Sequence, residues 1–270
     1  MRTEAMVTPF GEEEVEEVHL PRAPLVRALA QVRFPKMLSL ATEAGVGEVQ
    51  EALRHAYPIL NQEKTMGVLI TPNGVAPSPQ ETEAVWRLQS KDSTWTVSLG
   101  TTFVALDTNA YVSRDDFCCR LEEVLQVIAR TVEPVVAERV GLRYTDRLDE
   151  PEQLRSLQEL VRPEILGGYA VALPEGVSLG HTLCESSYTL EGGQLIARWG
   201  VLPAGAVIDP GVPPVSRQSW ILDLDVFRVA RVDFDVAELD ATIRRFADQA
   251  YRFFRWAVTD DLLRRAGGDL

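Results

Sequence analysis

Lysine is almost missing from this chain. Of 27 basic residues, 24 are arginine and three are lysine, while histidine and cysteine number three each. So few histidines and cysteines leave little material for a metal centre. His181 and Cys184 stand three apart, which on a strand places them on opposite faces, and no second ligand pair has zinc-site spacing. His19 and His55 have no identifiable carboxylate or nucleophile partner and read as surface histidines. Cys118 and Cys119 are adjacent on a predicted helix, and with Cys184 they make an odd count, which argues against a disulfide framework, so reduced, buried thiols are expected. The motifs of common catalysts are absent as well. There is no Gly-x-Ser-x-Gly elbow and no Gly-x-x-x-x-Gly-Lys loop. No run approaches the ~18 apolar residues of a membrane span. Residues 1–17 carry Glu12, Glu13, Glu14, Glu16 and Glu17 without a signal-peptide core, so a cytoplasmic protein is expected.

The formal charge of −13 sets an acidic field that opposes nucleic-acid binding, because phosphate contacts dominate that affinity. An apolar fraction of 46% over 270 residues supplies a sizeable core. Residues 1–20 read as an acidic flexible tail. Beyond them the chain reads as one unit written twice, over 21–134 and 135–270, packed as one pseudo-symmetric domain. Each copy has the order β-α-β-β-β-β-α. In the first, a strand over 25–34 alternates Val26, Ala28, Ala30, Val32 and Phe34 with polar neighbours. Gly45 and Gly47 lead into a short helix stopped by Pro58. Extended segments at 66–71, 84–90, 94–99 and 102–108 follow, with 72–79 as a loop and Lys91-Asp92-Ser93 as a hairpin turn. A helix over 113–131, capped by Ser113, closes the copy. In the second, a strand over 136–144 precedes a helix containing Leu154, Leu157 and Leu160, which ends before Gly167-Gly168. Extended segments at 169–173, 178–190, 194–202 and 220–228 lead to a helix over 236–265. Glu191-Gly192-Gly193 reads as a turn, and 203–219, rich in proline and glycine, as a functional flap or an ordered excursion. The fold class is α+β, a mostly antiparallel curved sheet with the long helices on one face. This order resembles the repeat of TATA-binding-protein-like saddles and helix-grip folds.

Three runs carry a further resemblance: PLVRALAQVRF at 24–34, FVALDT at 103–108 with Tyr111 and Phe117 after it, and RVGLRY at 139–144. They are similar to those of a sporadically distributed, uncharacterised family of prokaryotic proteins. Sporadic distribution implies horizontal transfer, as among defence, toxin–antitoxin and prophage genes, and hence an antitoxin- or immunity-like role.

Reading the alternations together gives the candidate site. If Val26, Ala28, Ala30, Val32, Trp86, Leu88, Trp95, Val97, Val140, Leu142, Trp199, Val201, Leu222 and Leu224 face the helices, the other face carries Arg27, Gln31, Arg33, Arg87, Arg139, Arg143, Arg198, Asp223 and Asp225. Guanidinium groups fork onto carboxylate or phosphate, so this face suits a protein partner or a small anionic ligand. The competing reading is an Arg-Asp-Gln lattice that only staples the sheet. Asp223 and Asp225, about 7 Å apart on one strand face, would hold a divalent ion in a metal-dependent hydrolase or nuclease, with Asp107 as a further carboxylate. An exposed, non-catalytic pair is the plainer expectation. The functional expectation is therefore a non-enzymatic binding protein, without cofactor or metal, present as monomer or homodimer. A receptor for an anion or nucleotide and a metal-dependent hydrolase are the alternatives.

Overall fold

The computed structural model describes residues 8–11, 15, 17–65, 68–71, 74–77 and 83–269, and over 64–83 the backbone alone. In chain order the elements are β1 (Leu25–Arg33), α1 (Glu43–Leu53), β2 (Ile59–Thr65), β3 (Val68–Thr71), β4 (Gly74–Pro77), β5 (Glu83–Gln89), β6 (Trp95–Gly100), β7 (Phe103–Thr108) and α2 (Arg114–Thr131). They continue with β8 (Val136–Leu148), α3 (Pro151–Arg155), α4 (Leu157–Leu160), β9 (Cys184–Leu190), β10 (Gly193–Leu202), β11 (Ser219–Asp233), α5 (Val236–Ala257) and α6 (Asp260–Arg265). The class is α+β. Nine strands form one large antiparallel sheet in the order β2-β5-β6-β7-β1-β8-β11-β10-β9, and β3 with β4 forms a separate two-stranded ribbon.

Packing gathers the chain into two compact units. The first comprises Met1–Ala28, Leu142–Arg228 and Arg244–Leu270, the second Leu29–Gly141 and Val229–Ile243. In the second unit, Leu88, Val97, Leu99 and Leu106 are buried on the strands, and α2 buries Phe117, Leu121, Val124, Leu125 and Ile128 at helical spacing. The Ser113 hydroxyl accepts from the Asp116 N–H at 3.1 Å, satisfying an otherwise orphaned donor at the start of α2. The Trp95 ring lies 5.9 Å from Phe117 and carries the Arg120 guanidinium 4.5 Å above it. The β5–β6 turn closes on Asp92, whose Oδ1 accepts from the Ser90 hydroxyl and from the Thr94 N–H and hydroxyl. Those donors hold its carboxyl down at about 2.

In the first unit, β9, β10 and β11 form an antiparallel meander. Gly192, at φ 76°, makes the β9–β10 turn in a conformation that L side chains rarely adopt. The inner alternation holds: Leu195, Ala197, Trp199 and Val201 of β10 and Trp220, Leu222, Leu224 and Val226 of β11 are all buried. Phe246, Ala250, Phe253 and Ala257 form the buried stripe of α5 in this unit.

Several segments differ from the sequence expectation. The 169–173 segment is not extended; Gly167–Ala170 is a 3-10 turn, and only Cys184–Leu190 of 178–190 is strand. A strand unforeseen in the sequence, β2, precedes β3, and β4 lies inside the expected 72–79 loop. The helix over 236–265 is two helices, because the Val258 backbone bridges to Val161 and Thr259 recaps the chain by accepting from the Leu262 N–H at 3.4 Å. The helix after β8 is broken as well, α3 and α4 meeting at Ser156. Gly45 and Gly47 fall inside α1. Among the thiols only Cys118 is buried, while Cys119 is exposed. The described residues of the N-terminal segment are exposed or half-buried, and some of them touch the rest of the first unit. The Phe10 ring lies tilted against Tyr188 at 4.8 Å and approaches Phe253 at 6.2 Å, and the Val18 N–H donates to the Tyr251 hydroxyl at 2.7 Å.

Candidate functional site

The site builds up from Asp223 on β11. Strand register sets Arg198 of β10 directly opposite Asp223, and sets Glu185 of β9 opposite Arg198 on its other side. Arg198 uses both neighbours: Nη1 donates to Asp223 Oδ2 at 3.2 Å and Nε to Glu185 Oε2 at 2.6 Å. From β8, Arg143 forks onto the same carboxylate, Nε to Oδ1 at 2.6 Å and Nη2 to Oδ2 at 3.0 Å, and the Thr145 hydroxyl adds a donor to Oδ1 at 3.0 Å. Asp223 is fully buried, with 0% of its surface exposed. The exposed acidic pair expected from the sequence is thus corrected. Asp223 is the buried centre of a guanidinium cluster, whereas Asp225 is half-buried. Burial works against the charge on Arg143, but its hydrogen bonds to Asp223 and the surrounding carboxylates outweigh it, so the guanidinium pKa is raised.

A second carboxylate reaches the cluster from the 203–218 connection between β10 and β11. Asp209 is 3% exposed, and Arg27 Nη1 donates to both of its oxygens at 2.8 Å. Its Oδ1 also accepts from the Gly211 N–H at 2.8 Å, and Arg143 Nη1 stands 3.6 Å from Oδ2. Burial pushes the Asp209 carboxyl up, yet the Gly211 N–H and the charges of Arg143 and Arg27 together hold it below its ordinary value. Gly211 allows the close approach of Arg27, because a Cβ there would run into the guanidinium and displace it. Arg147 tacks down the same connection, Nη1 donating to the Pro213 carbonyl at 2.8 Å. These contacts hold the connection against the cluster.

The nine residues selected from the sequence divide between the units. Arg27, Arg143, Arg198, Asp223 and Asp225 lie in the first, and the first four share the network just described. Gln31, Arg33, Arg87 and Arg139 lie in the second. There Arg139 Nη1 donates to Gln31 Oε1 at 3.5 Å, and Arg87 is bound to Glu63 at 2.6 Å and to the Ser98 hydroxyl at 3.0 Å. Arg33 is exposed and makes no ion pair among the described residues. Of the sheet positions expected to face the helices, all but Val26, which is half-buried, are buried.

Sequence reasoning missed Asp209, Thr145 and Arg147. Asp209 had a usable signal: Asp209-Pro210-Gly211 is a turn sequence in which an aspartate accepts from the N–H two residues on. Thr145 and Arg147 were hidden because β8 runs on to Leu148 rather than ending at Tyr144. The same extension puts Asp146 on the strand face of Leu142, Tyr144 and Leu148, all buried. Asp146 is 4% exposed, and burial, with a smaller contribution from the charge of Asp223, raises its carboxyl to about 8.

The first unit also holds an open cavity of about 330 Å³, lined by Asp149, Leu154, Arg155, Tyr169, Arg217 and Gln218 among others, none of them a cluster residue. Arg217 Nη2 contacts Glu150 at 3.0 Å and Asp149 at 3.4 Å. Among the described residues no three His, Cys, Asp or Glu side chains gather to hold a metal ion, and no helix is long and apolar enough to cross a membrane. No protein-family model matches the chain, and no curated protein matches it.

Proposed function

We propose that this chain is a non-enzymatic binding protein whose first unit recognises an acidic segment of a protein partner through Arg27, Arg143 and Arg198. The observation that carries this reading is the Asp209 contact. A carboxylate borne on irregular polypeptide already sits against two guanidiniums, the donors that an Asp- or Glu-rich segment needs. The overall charge of −13 does not oppose this at working salt, because fields are screened beyond about 8 Å at 0.15 M. A metal-dependent reading is not supported at Asp223, whose oxygens are taken up by Arg143, Arg198 and Thr145. An antitoxin- or immunity-like context and a cytoplasmic setting, where free thiols persist, accord with partner binding. The two-copy architecture belongs to the same proposal. Counted outward from the β1–β8 pair, β7, β6 and β5 are answered by β11, β10 and β9.

The small-anion alternative is favoured by one observation, the cavity of about 330 Å³ with Arg155, Arg217 and the Tyr169 ring in its wall. The two readings separate in one experiment. A fluorescein-labelled glutamate-rich peptide is titrated with the protein at 0.15 M salt and followed by anisotropy, beside its glutamine counterpart. Saturable binding of the glutamate peptide alone, weakened about tenfold or more by Arg27→Gln as expected for a charge-assisted contact, supports the partner reading. Equal behaviour of the two peptides refutes it.

A further inference from the structure

The cluster is already occupied by the chain's own carboxylate, and what holds that carboxylate in place is unusual for a connection of this length. Over 203–218 the only buried side chains are Asp209 and Val212. The other contacts are polar: the Gly205 N–H closes the connection on itself at the Val215 carbonyl, 2.8 Å away, while Arg147 on the Pro213 carbonyl at 2.8 Å and the half-exposed Arg217 on Glu150 at 3.0 Å and Asp149 at 3.4 Å tie it to the rest of the unit. Long connections without secondary structure in compact domains are often functional. This one carries little apolar area to keep it down, and exposed ion pairs such as those of Arg217 contribute little, so its closed position depends chiefly on the buried ion pair between Asp209 and Arg27, with Arg143 assisting.

We infer that the 203–218 connection is an ion-latched strap. Asp209 is a built-in competitor that occupies the arginine site until an incoming carboxylate takes its place. This rests on the reading of the site as a receptor for acidic segments and adds its regulation. Opening exchanges one carboxylate for another on Arg27 and Arg143, so neither guanidinium is left buried without an anion at either end of the exchange. Gly211 serves both states. Lacking a Cβ, it lets the guanidinium of Arg27 lie against the strap when closed, and its N–H leaves with Asp209 when the strap lifts, because the two belong to one turn. Affinity for a partner is scaled down to the fraction of molecules that are unlatched.

Two readouts on the full chain test the latch separately from the binding reading. The first uses no ligand. Arg217, half-exposed near the end of the strap, is a trypsin site, and cleavage after it, identified by mass, reports strap opening. Asp209→Asn keeps the side-chain shape and removes the charge. It is expected to speed cleavage after Arg217 by about tenfold, the change that corresponds to losing one charge-assisted contact, without altering cleavage after Arg130 or Arg231. Unchanged cleavage after Arg217 overturns the latch. The second readout is anisotropy with the glutamate-rich peptide. Asp209→Asn is expected to bind it about tenfold more tightly than the wild type. Faster cleavage with no gain in peptide affinity overturns Asp209 as competitor and, with it, the acidic-segment reading, while leaving the strap as a purely structural clasp. Arg27→Gln, which opens the strap but removes its receptor, should match the cleavage rate of Asp209→Asn and lose the peptide; if it binds the peptide as tightly as Asp209→Asn, the assigned receptor is wrong.

Discussion

Replacing Asp146 with asparagine should stabilise the protein by an amount that grows with pH. The carboxyl lies among buried residues of β8 and is raised to about 8 from an ordinary 3.8, first by burial and then by the charge of Asp223. Between those two values the folded chain holds a proton that the unfolded chain has released. Stability is therefore unaffected by Asp146 below about pH 4 and falls as pH rises, levelling off above about 8. The slope is about 1.4 kcal/mol per pH unit, which amounts to about 3 kcal/mol between pH 5 and pH 7 and up to about 6 kcal/mol over the whole window. Asparagine has the same shape and no proton to lose. Guanidinium denaturation followed by tryptophan fluorescence, with the chain's five tryptophans as reporters, would give the free energy of unfolding at several pH values for both proteins. Subtraction cancels every other titrating group. A difference that widens by about 3 kcal/mol from pH 5 to pH 7 is the expected result; a difference that stays flat across that range would refute the account of Asp146.

Arg143→Met should cost about 3 kcal/mol, because it strips a bidentate partner from the fully buried Asp223, whereas the double variant Arg143→Met/Asp223→Leu should lie close to wild type. Denaturation of the four proteins of that cycle measures the coupling directly, and equal costs for the single and double variants would contradict it. Phe117→Ala, which empties a fully buried position between Trp95 and Tyr111 on α2, should cost about 3–5 kcal/mol in the same assay. A loss under 1 kcal/mol would mean that α2 is not packed as described.

Much of the architecture was legible because apolar periodicity is local. The alternation in β1, β6, β10 and β11, the stripe of α2 and the Ser113 cap can all be read from neighbouring residues. The failures have local causes too. β2, Ile-Leu-Asn-Gln-Glu-Lys-Thr, is an edge strand paired only with β5 and has no alternation to announce it. The break at Val258 and Thr259 is invisible to periodicity, since Leu262 and Leu263 are buried just as a continuing helix would bury apolar residues. Half of the candidate site was legible for the same reason. Arg143, Arg198 and Asp223 announce themselves by position on strands, but their mutual distances depend on register, which no single strand contains. Asp209 lies 182 residues from Arg27, and its role arises only when a turn sequence is laid over the end of β1. Asp146 escaped because a carboxylate at a core position contradicts the pattern used to find cores, which is itself a reason to examine such positions.

The central claim is that Arg27 and Arg143 receive carboxylates from an acidic polypeptide. Its most direct test is a titration of the Asp209→Asn protein with the unlabelled glutamate-rich peptide, observing arginine Nε–Hε resonances by NMR and assigning them through single Arg→Gln variants. The account predicts saturable shifts at Arg27 and Arg143, with Arg87, held by Glu63 and Ser98 in the second unit, unmoved. Shifts confined to Arg33 or Arg87, or none at any arginine, would contradict it.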